Sequence, residues 1–182
     1  MEHAGVALVD PYKIFEKIGL STGMRVADLG CGRTGHFVFP AARIINDGGV
    51  VYAVDILKEV LENIKSRSRT EGYDNVQIIW SNIELVGKTP VPPQSLDVCF
   101  FVNVMFQVKE KLAALQEATR LLKTGGKVVV VDWQKKVGTL GPDVEALIDH
   151  TKLTSLGESC GLQLAEDFSA GDYHFCLIFN KL

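Results

Sequence analysis

The chain has 182 residues, 47% of them hydrophobic and 23% charged, with a formal net charge of −3. That length suits one domain with a sizeable core and is short for two, and the apolar content excludes a disordered chain. A mildly acidic balance argues against a dedicated nucleic-acid binder, which normally shows a basic face.

The predicted elements alternate along the chain. Asp10 and Pro11 open a short helix carrying Ile14, Phe15 and Ile18, with Asp10 as N-cap and Pro11 at the first helical position; Gly19 and Gly23 close it. Residues 25–29 read as strand one. Phe37, Ala41, Ala42, Ile44 and Ile45 give the next helix its packing face, stopped by Asn46-Asp47-Gly48-Gly49. Strand two covers 50–54, all apolar, as a central parallel strand requires. Leu57, Val60, Leu61 and Ile64 recur at helical spacing, with Lys58, Lys65, Arg67 and Arg69 as a solvated face. Strand three is 76–80. Residues 81–94 form a loop, because Pro90, Pro92 and Pro93 cannot supply ladder hydrogen bonds. Strand four is 96–102. Leu112, Leu115, Ala118, Leu121 and Leu122 mark a helix stopped by Gly125-Gly126, and strand five is 127–131. Residues 143–159 read as a helix. Two closing strands, 162–168 and 173–179, are joined by a turn at 169–172 too short for a parallel crossover.

The expected fold class is therefore α/β: a doubly wound, mostly parallel sheet with an antiparallel C-terminal hairpin and helices on both faces. The expected organisation is a single domain over 1–182, with 1–23 as an N-terminal helical cap segment. Cys31, Cys99, Cys160 and Cys176 show no C-x-x-C or Cys/His spacing, so they read as small buried hydrophobes and no metal site is expected. The N-terminus lacks a basic region followed by a long apolar stretch, and no run reaches membrane-spanning length. A cytoplasmic protein without a membrane span is expected.

One stretch carries chemistry. In Val26-Ala27-Asp28-Leu29-Gly30-Cys31-Gly32-Arg33-Thr34-Gly35, an apolar run ends in a carboxylate and passes through glycines spaced G-x-G-x-x-G into a helix. Gly30 permits a sharp turn, Gly32 lets a ligand approach bare backbone, and Gly35 lets the helix pack tightly. Ligands in such sheets bind beyond the carboxyl ends of the strands. That rule selects Asp28 and Gly30 after strand one, Asp55 after strand two, and Ser81 and Asn82 after strand three. It adds Asn103 and Met105 after strand four, and Asp132 and Trp133 after strand five. Asp55 lies twenty residues past Gly35, where an acidic side chain accepts hydrogen bonds from both hydroxyls of a ribose, or serves as a helix N-cap. An adenosine-bearing ligand follows.

These residues resemble a family, the class I, seven-stranded S-adenosylmethionine-dependent methyltransferases. The resemblance rests on the 26–32 motif, on Asp55, and on Leu121-Leu122-Lys123-Thr124-Gly125-Gly126-Lys127-Val128-Val129-Val130 before strand five, with Thr124 where proline is usual. Asp28 discriminates: a dinucleotide-binding dehydrogenase rarely needs a carboxylate there, whereas in this family it lies near the cofactor's ammonium. The resemblance implies S-adenosyl-L-methionine as cofactor and Asp28, Gly30, Cys31, Gly32, Gly35, Asp55, Ile56, Asn82, Ile83 and Asn103 as its binding residues. Ile56 and Ile83 are candidate adenine walls, or ordinary packing. Asn82 stands where many members have Asp, and Gly35 departs from the family's G-x-G-x-G spacing. The small-molecule branch, similar to ubiquinone/menaquinone-biosynthesis-type domains, is the nearest; no N-P-P-Y follows strand four.

Such an enzyme needs no nucleophile of its own. It supplies approach geometry and a dry pocket, and a base only where the acceptor must lose a proton. Candidates on the acceptor side are His36, Phe106, Gln107, Asp132, Trp133 and His174. His36 faces the transfer pocket or solvent, Asp132 and Trp133 line the acceptor cavity or anchor the core edge, and His174 is expected at the surface. The cover comes from 1–23, 81–94, 133–142 or the second copy of a homodimer, and the expected partner is a small-molecule methyl acceptor. Alternatives are a non-catalytic adenosyl-ligand binding module and an NAD-dependent oxidoreductase using the same glycine turn.

Overall fold

Four parallel strands form the centre because their side chains are buried on both faces, and a fifth parallel strand, with Gln77 and Trp80 exposed, lies at one edge. The computed structural model describes residues 8–136, 138–139 and 141–182. The strands are β1 (Arg25–Leu29), β2 (Val50–Asp55), β3 (Val76–Trp80), β4 (Leu96–Val102), β5 (Leu122–Trp133), β6 (Leu162–Ser169) and β7 (His174–Lys181), in the order β3-β2-β1-β4-β5-β7-β6. The helices are α1 (Pro11–Ile18), α2 (Val38–Ile45), α3 (Lys58–Glu71), α4 (Lys111–Leu121) and α5 (His150–Ser159). β1 to β5 pair in parallel, whereas β7 runs antiparallel to both β5 and β6.

Neighbouring residues of each central strand feed opposite cores. Val129 and Val131 of β5, with Val51, Ala53, Val98 and Phe100, pack against α1, α2 and α3. Val128 and Val130, with Ala27, Leu29, Val54, Cys99 and Phe101, pack against α4 and Leu153 of α5. Cys31, Cys99 and Cys176 are buried and Cys160 is half-buried, all as free thiols. Asp10 caps α1 by accepting the Tyr12 amide, and Gly19 ends that helix at φ +70°. Residues 1–7 of the expected cap segment lie outside the described residues.

Two expected boundaries differ. Gly125-Gly126 does not stop α4, because β5 has already begun at Leu122. Leu96 of β4 pairs with Leu122 and Val98 with Lys127, so residues 123–126 bulge from the ladder. Gly125 sits there at φ +77°, and a Cβ on Gly126 would lie 2.9 Å from the Lys123 carbonyl oxygen. The expected helix over 143–159 is a short 3-10 turn (Val144–Ala146) followed by α5 from His150. Asp149 explains the break: in extended conformation it accepts the amides of Thr151 and Lys152, which starts a new helix there.

β7 sits inside the sheet and β6 at its edge. The residues make this necessary, since 175–179 of β7 are all buried, whereas β6 after Leu162 alternates exposed and half-buried positions. Among the described residues no helix is long and apolar enough to cross a membrane.

Candidate functional site

The connection from β1 leaves toward β2 on one side, and β4 flanks β1 on the other, so a crevice opens at the carboxyl ends of these strands. It holds a cavity of about 560 Å³, within the range of small-molecule sites. Of the residues expected to bind a cofactor, Asp28, Gly30, Cys31, Gly32, Asp55, Ile56, Asn82, Ile83 and Asn103 all line it.

The three glycines do different work. At Gly30 (φ +84°) a Cβ would stand 2.5 Å from Val104 Cγ2, so this residue lets the chain after β4 close against the turn. Gly32 (φ +65°) has nothing within 4 Å of where a Cβ would be; its bare side is turned to open space in the cavity wall. Gly35 does not line the cavity. A Cβ there would meet Phe39 at 2.7 Å and Ile64 at 2.8 Å, so it serves the packing of α2 against α3.

Asp55 clasps the same loop. It is 8% exposed, its Oδ2 accepts the Gly32 amide at 3.2 Å, and its Oδ1 accepts the Leu57 amide at 2.9 Å. The helix N-cap reading is not realised, since Leu57 holds the N-cap of α3 without a side-chain cap and Asp55 instead braces the turn before it; each oxygen keeps a second lone pair for a ligand. Asp28 is 2% exposed, and its Oδ1 is buried without a hydrogen-bond partner. Burial first, and the neighbouring Asp55 charge second, push its pKa up to about 7. Burial and the same two carboxylates drive the Cys31 thiol far upward, so it is a packing group and no nucleophile.

Beyond β3, Asn82 Oδ1 accepts the Glu84 amide at 2.9 Å, and Glu84 in turn accepts the amides of Lys109 and Glu110 at 3.2 and 2.7 Å. Glu84 thereby ties this loop to the start of α4. Ile83 is buried and Ile56 is half exposed, and both line the cavity. Asn103 holds a left-handed φ of +52°, donates its amide to the Val131 carbonyl at 2.8 Å, and leaves its own buried Oδ1 unpartnered. Asn is one of the few non-glycine residues that tolerate this region, and its unpaired oxygen is buried in a residue of the cavity wall.

The acceptor-side candidates separate. His36 lines the cavity, and its Nε2 lies 2.8 Å from the Val9 carbonyl oxygen. Gln107 lines it as well. Asp132 and Trp133 do not: the expectation that they face this cavity is corrected. Asp132 is fully buried and accepts the amides of Phe106 at 3.2 Å and Trp133 at 2.8 Å. Burial raises its pKa to about 6 while those amides pull the other way. Trp133 stacks on His174 with ring centroids 4.2 Å apart. His174, expected at the surface, is fully buried with both ring nitrogens unpartnered, because β7 is an interior strand. Burial, then the charge of His36, hold its pKa down to about 4.

The cavity walls are only in part those expected. The expected 81–94 loop does contribute, through Ser81, Asn82, Ile83 and Glu84, whereas among the described residues neither 8–23 nor 133–142 does; Val102 at the end of β4 and Val104, Gln107 and Val108 after it complete the wall. The sequence signal for that last segment was Val104 and Val108, apolar residues i and i+4 between a strand and a helix, which read equally as core.

A seven-stranded doubly wound sheet with a reversed strand inserted beside the fifth, and an acid-flanked glycine loop at its switch point, defines a nucleoside-binding domain of the class I methyltransferase type. Comparison with known proteins agrees. A family model described as a methyltransferase domain matches residues 20–164, and the chain belongs to that family of S-adenosylmethionine-dependent methyltransferases. Ubiquinone/menaquinone biosynthesis C-methyltransferase of Shewanella halifaxensis is 33% identical over 143 residues, covering 78% of this chain and 55% of the relative. Aklanonic acid methyltransferase of a Streptomyces species is 29% identical over 140 residues, covering 75% and 62%. The chain thus spans a little over half the length of the curated relatives it matches. In fold, a SAM-dependent methyltransferase from Aquifex aeolicus superposes with a TM-score of 0.90 at 24% identity, covering 100% of this chain and 94% of that one.

Proposed function

We propose that the protein transfers the methyl group of S-adenosyl-L-methionine to a small-molecule acceptor, releasing S-adenosylhomocysteine. The observation that carries this reading is the pair of buried carboxylates flanking one glycine loop, Asp28 in β1 with an unpartnered oxygen and Asp55 at the end of β2 with lone pairs to spare. The residues fit the cofactor. Asp28 takes the ammonium of its amino-acid end, the bare face of Gly32 admits it, and Asp55 takes the ribose hydroxyls. Ile56 and Ile83 flank the adenine, and the free lone pair of Asn82 Oδ1 accepts from its amino group. When bound, the cofactor supplies a methyl group already activated on a sulfonium.

The chain's own contribution is placement and dryness. Val104 and Val108 close the wall beside the glycine turn, and His36 and Gln107 are among the polar side chains, with Thr34 and Ser81, that can meet an acceptor. Holding two reactants in line is worth roughly 7–11 kcal/mol of barrier where the geometry is good. His36 is the one imidazole at the cavity among the described residues and the candidate base for an acceptor that must lose a proton. Asp132 and Trp133 act from behind the wall, Asp132 by holding the Phe106 amide. A small acceptor is in keeping with a cavity of about 560 Å³ that must also hold the nucleoside. Homodimer formation and a cytoplasmic location remain parts of this proposal.

The test is parallel calorimetry with S-adenosylhomocysteine and NAD, followed by an acceptor panel read out as S-adenosylhomocysteine formed. Binding of S-adenosylhomocysteine with turnover on at least one acceptor is expected. Binding of NAD alone would overturn the reading, and tight cofactor binding without turnover across the panel would favour a non-catalytic module.

A further inference from the structure

His36 is held at one end by the main chain. Its Nε2 lies 2.8 Å from the Val9 carbonyl oxygen, and a carbonyl oxygen only accepts, so Nε2 carries the hydrogen. The neutral ring then has its lone pair on Nδ1, a tautomer set by backbone geometry. Nδ1 has no hydrogen-bond partner among the described residues, yet it is not one of the sealed, unpartnered polar atoms, so it keeps an accessible surface. Val9 is buried and takes no part in the cavity wall, whereas His36 does. The bonded nitrogen is committed behind the wall, and the free one is left to the cavity.

The rest of the lining restricts what can meet that nitrogen. Among the described residues it holds Asp28, Asp55 and Glu84, and no lysine or arginine. Cations close by are engaged elsewhere, Arg33 with Glu59 and Lys111 with the Val108 carbonyl. A bound cofactor adds one net positive charge, which leaves the balance of the wall negative. Much of the remaining wall is aliphatic, with Val60, Val102, Val104 and Val108 among it. An acceptor arriving as a carboxylate or phosphate would lose its water there without gaining a basic side chain. An amine brings its own lone pair and has no use for a base before transfer.

We infer that the acceptor enters uncharged, as a phenol or enol, and gives its hydroxyl proton to Nδ1 of His36. The inference rests on the S-adenosylmethionine reading and names the acceptor class for the same cavity. The O–H bond breaks with its electron pair left on oxygen, and that oxygen forms the new bond to the methyl carbon. The sulfur–methyl bond breaks with its pair remaining on sulfur. The proton ends on Nδ1, while Nε2–H still donates to the Val9 carbonyl, whose dipole favours the imidazolium. One positive charge is present before and after; it passes from sulfur to the ring and stays in the acid-lined cavity.

Two measurements test this. Nitrogen-15 NMR of the full chain, free of ligand in mildly alkaline buffer, reads the tautomer of His36, with His36→Gln to assign the signal. The Nε2–H form is expected, and the Nδ1–H form would overturn the inference whatever the turnover. The second is S-adenosylhomocysteine formation on substituted phenols of graded acidity, with amines and carboxylates alongside. Phenols are expected to be methylated and carboxylates not. His36→Gln, whose amide can still donate to the Val9 carbonyl, should bind S-adenosylhomocysteine as the native protein does. It should lose about a hundredfold or more in turnover on weakly acidic phenols, and progressively less on phenols already ionised in the buffer. A purely structural role would lower every phenol alike. An equal loss on all phenols, no loss, or no phenol methylated would each overturn the inference. Failure of the native protein to bind S-adenosylhomocysteine would instead overturn the cofactor reading on which it stands.

Discussion

Asp55 holds the glycine loop and faces the ligand with the same two oxygens, so its removal has two separable effects. Asp55→Ala should weaken S-adenosylhomocysteine binding by roughly 1–3 kcal/mol and lower the melting temperature slightly, since the amides of Gly32 and Leu57 lose their acceptor. Unchanged affinity in calorimetry would refute the ribose assignment. Gly30→Ala is a harsher change, because the new methyl group would stand 2.5 Å from Val104 and the backbone must hold φ +84°. Loss of ligand binding with a folded sheet by circular dichroism is expected. Asp28 predicts a pH dependence. Its pKa is raised from 3.8 to about 7, so the folded, ligand-free protein binds a proton that the unfolded chain releases. That contribution to stability is complete below about pH 4 and is lost as pH rises through 7. A cationic ligand requires the ionised form, so its affinity should climb with pH and level off above 7, with proton release visible as a buffer-dependent binding enthalpy. Asp55, Glu84, Cys31 and His36 also line the cavity, and Asp28→Asn should remove the slope.

At the scale of elements, the 81–94 loop is held down by one buried acid on α4. Glu117 is fully buried and accepts the amides of Gly87 at 2.6 Å and Thr89 at 2.9 Å, while Arg120 bonds both of its oxygens. Burial pushes its pKa up, but Arg120 and the two amides outweigh that and bring it down to about 2. Glu117→Ala leaves the two amides without acceptors and Arg120 without its partner, and should cost about 3–5 kcal/mol. Denaturant unfolding measures it. With the native residue, the stabilisation should be complete above about pH 4.5 and fall away toward pH 2. Nothing in the sequence flagged this contact, since Glu117 stands on a helix at a position that reads as solvated and its partners lie 28 and 30 residues away. The bulge in β5 escaped for a related reason. Gly125-Gly126 after an apolar helix reads as a stop, and only the pairing of Leu122 with Leu96 shows that the strand was already under way.

For the whole molecule, the order of the last two strands is the consequential feature. β7 has partners on both sides and β6 on one, so the amides of β7 should exchange far more slowly than those of the outer edge of β6, although both belong to one hairpin. Hydrogen exchange resolved by residue tests this, and equal protection would contradict the strand order. The same order explains His174 and Trp133. An interior β7 pairs Trp133 with His174, which takes His174 away from the expected surface and keeps Trp133 out of the cavity that its place after strand five had suggested. The sequence by itself determined the alternation of strands and helices, the parallel sheet, the reversed hairpin and the acid-flanked glycine loop, because each is written in local periodicity, turn chemistry or the spacing of a few neighbouring residues. Only the tertiary structure decided which cavity walls those residues share, that Gly35 packs α2 against α3 and stays out of the cavity, and that Asp28 is left without a partner. Those facts depend on groups far apart in the chain meeting in a dry interior, where an oxygen's neighbours, and no longer its own identity, set what it can bind.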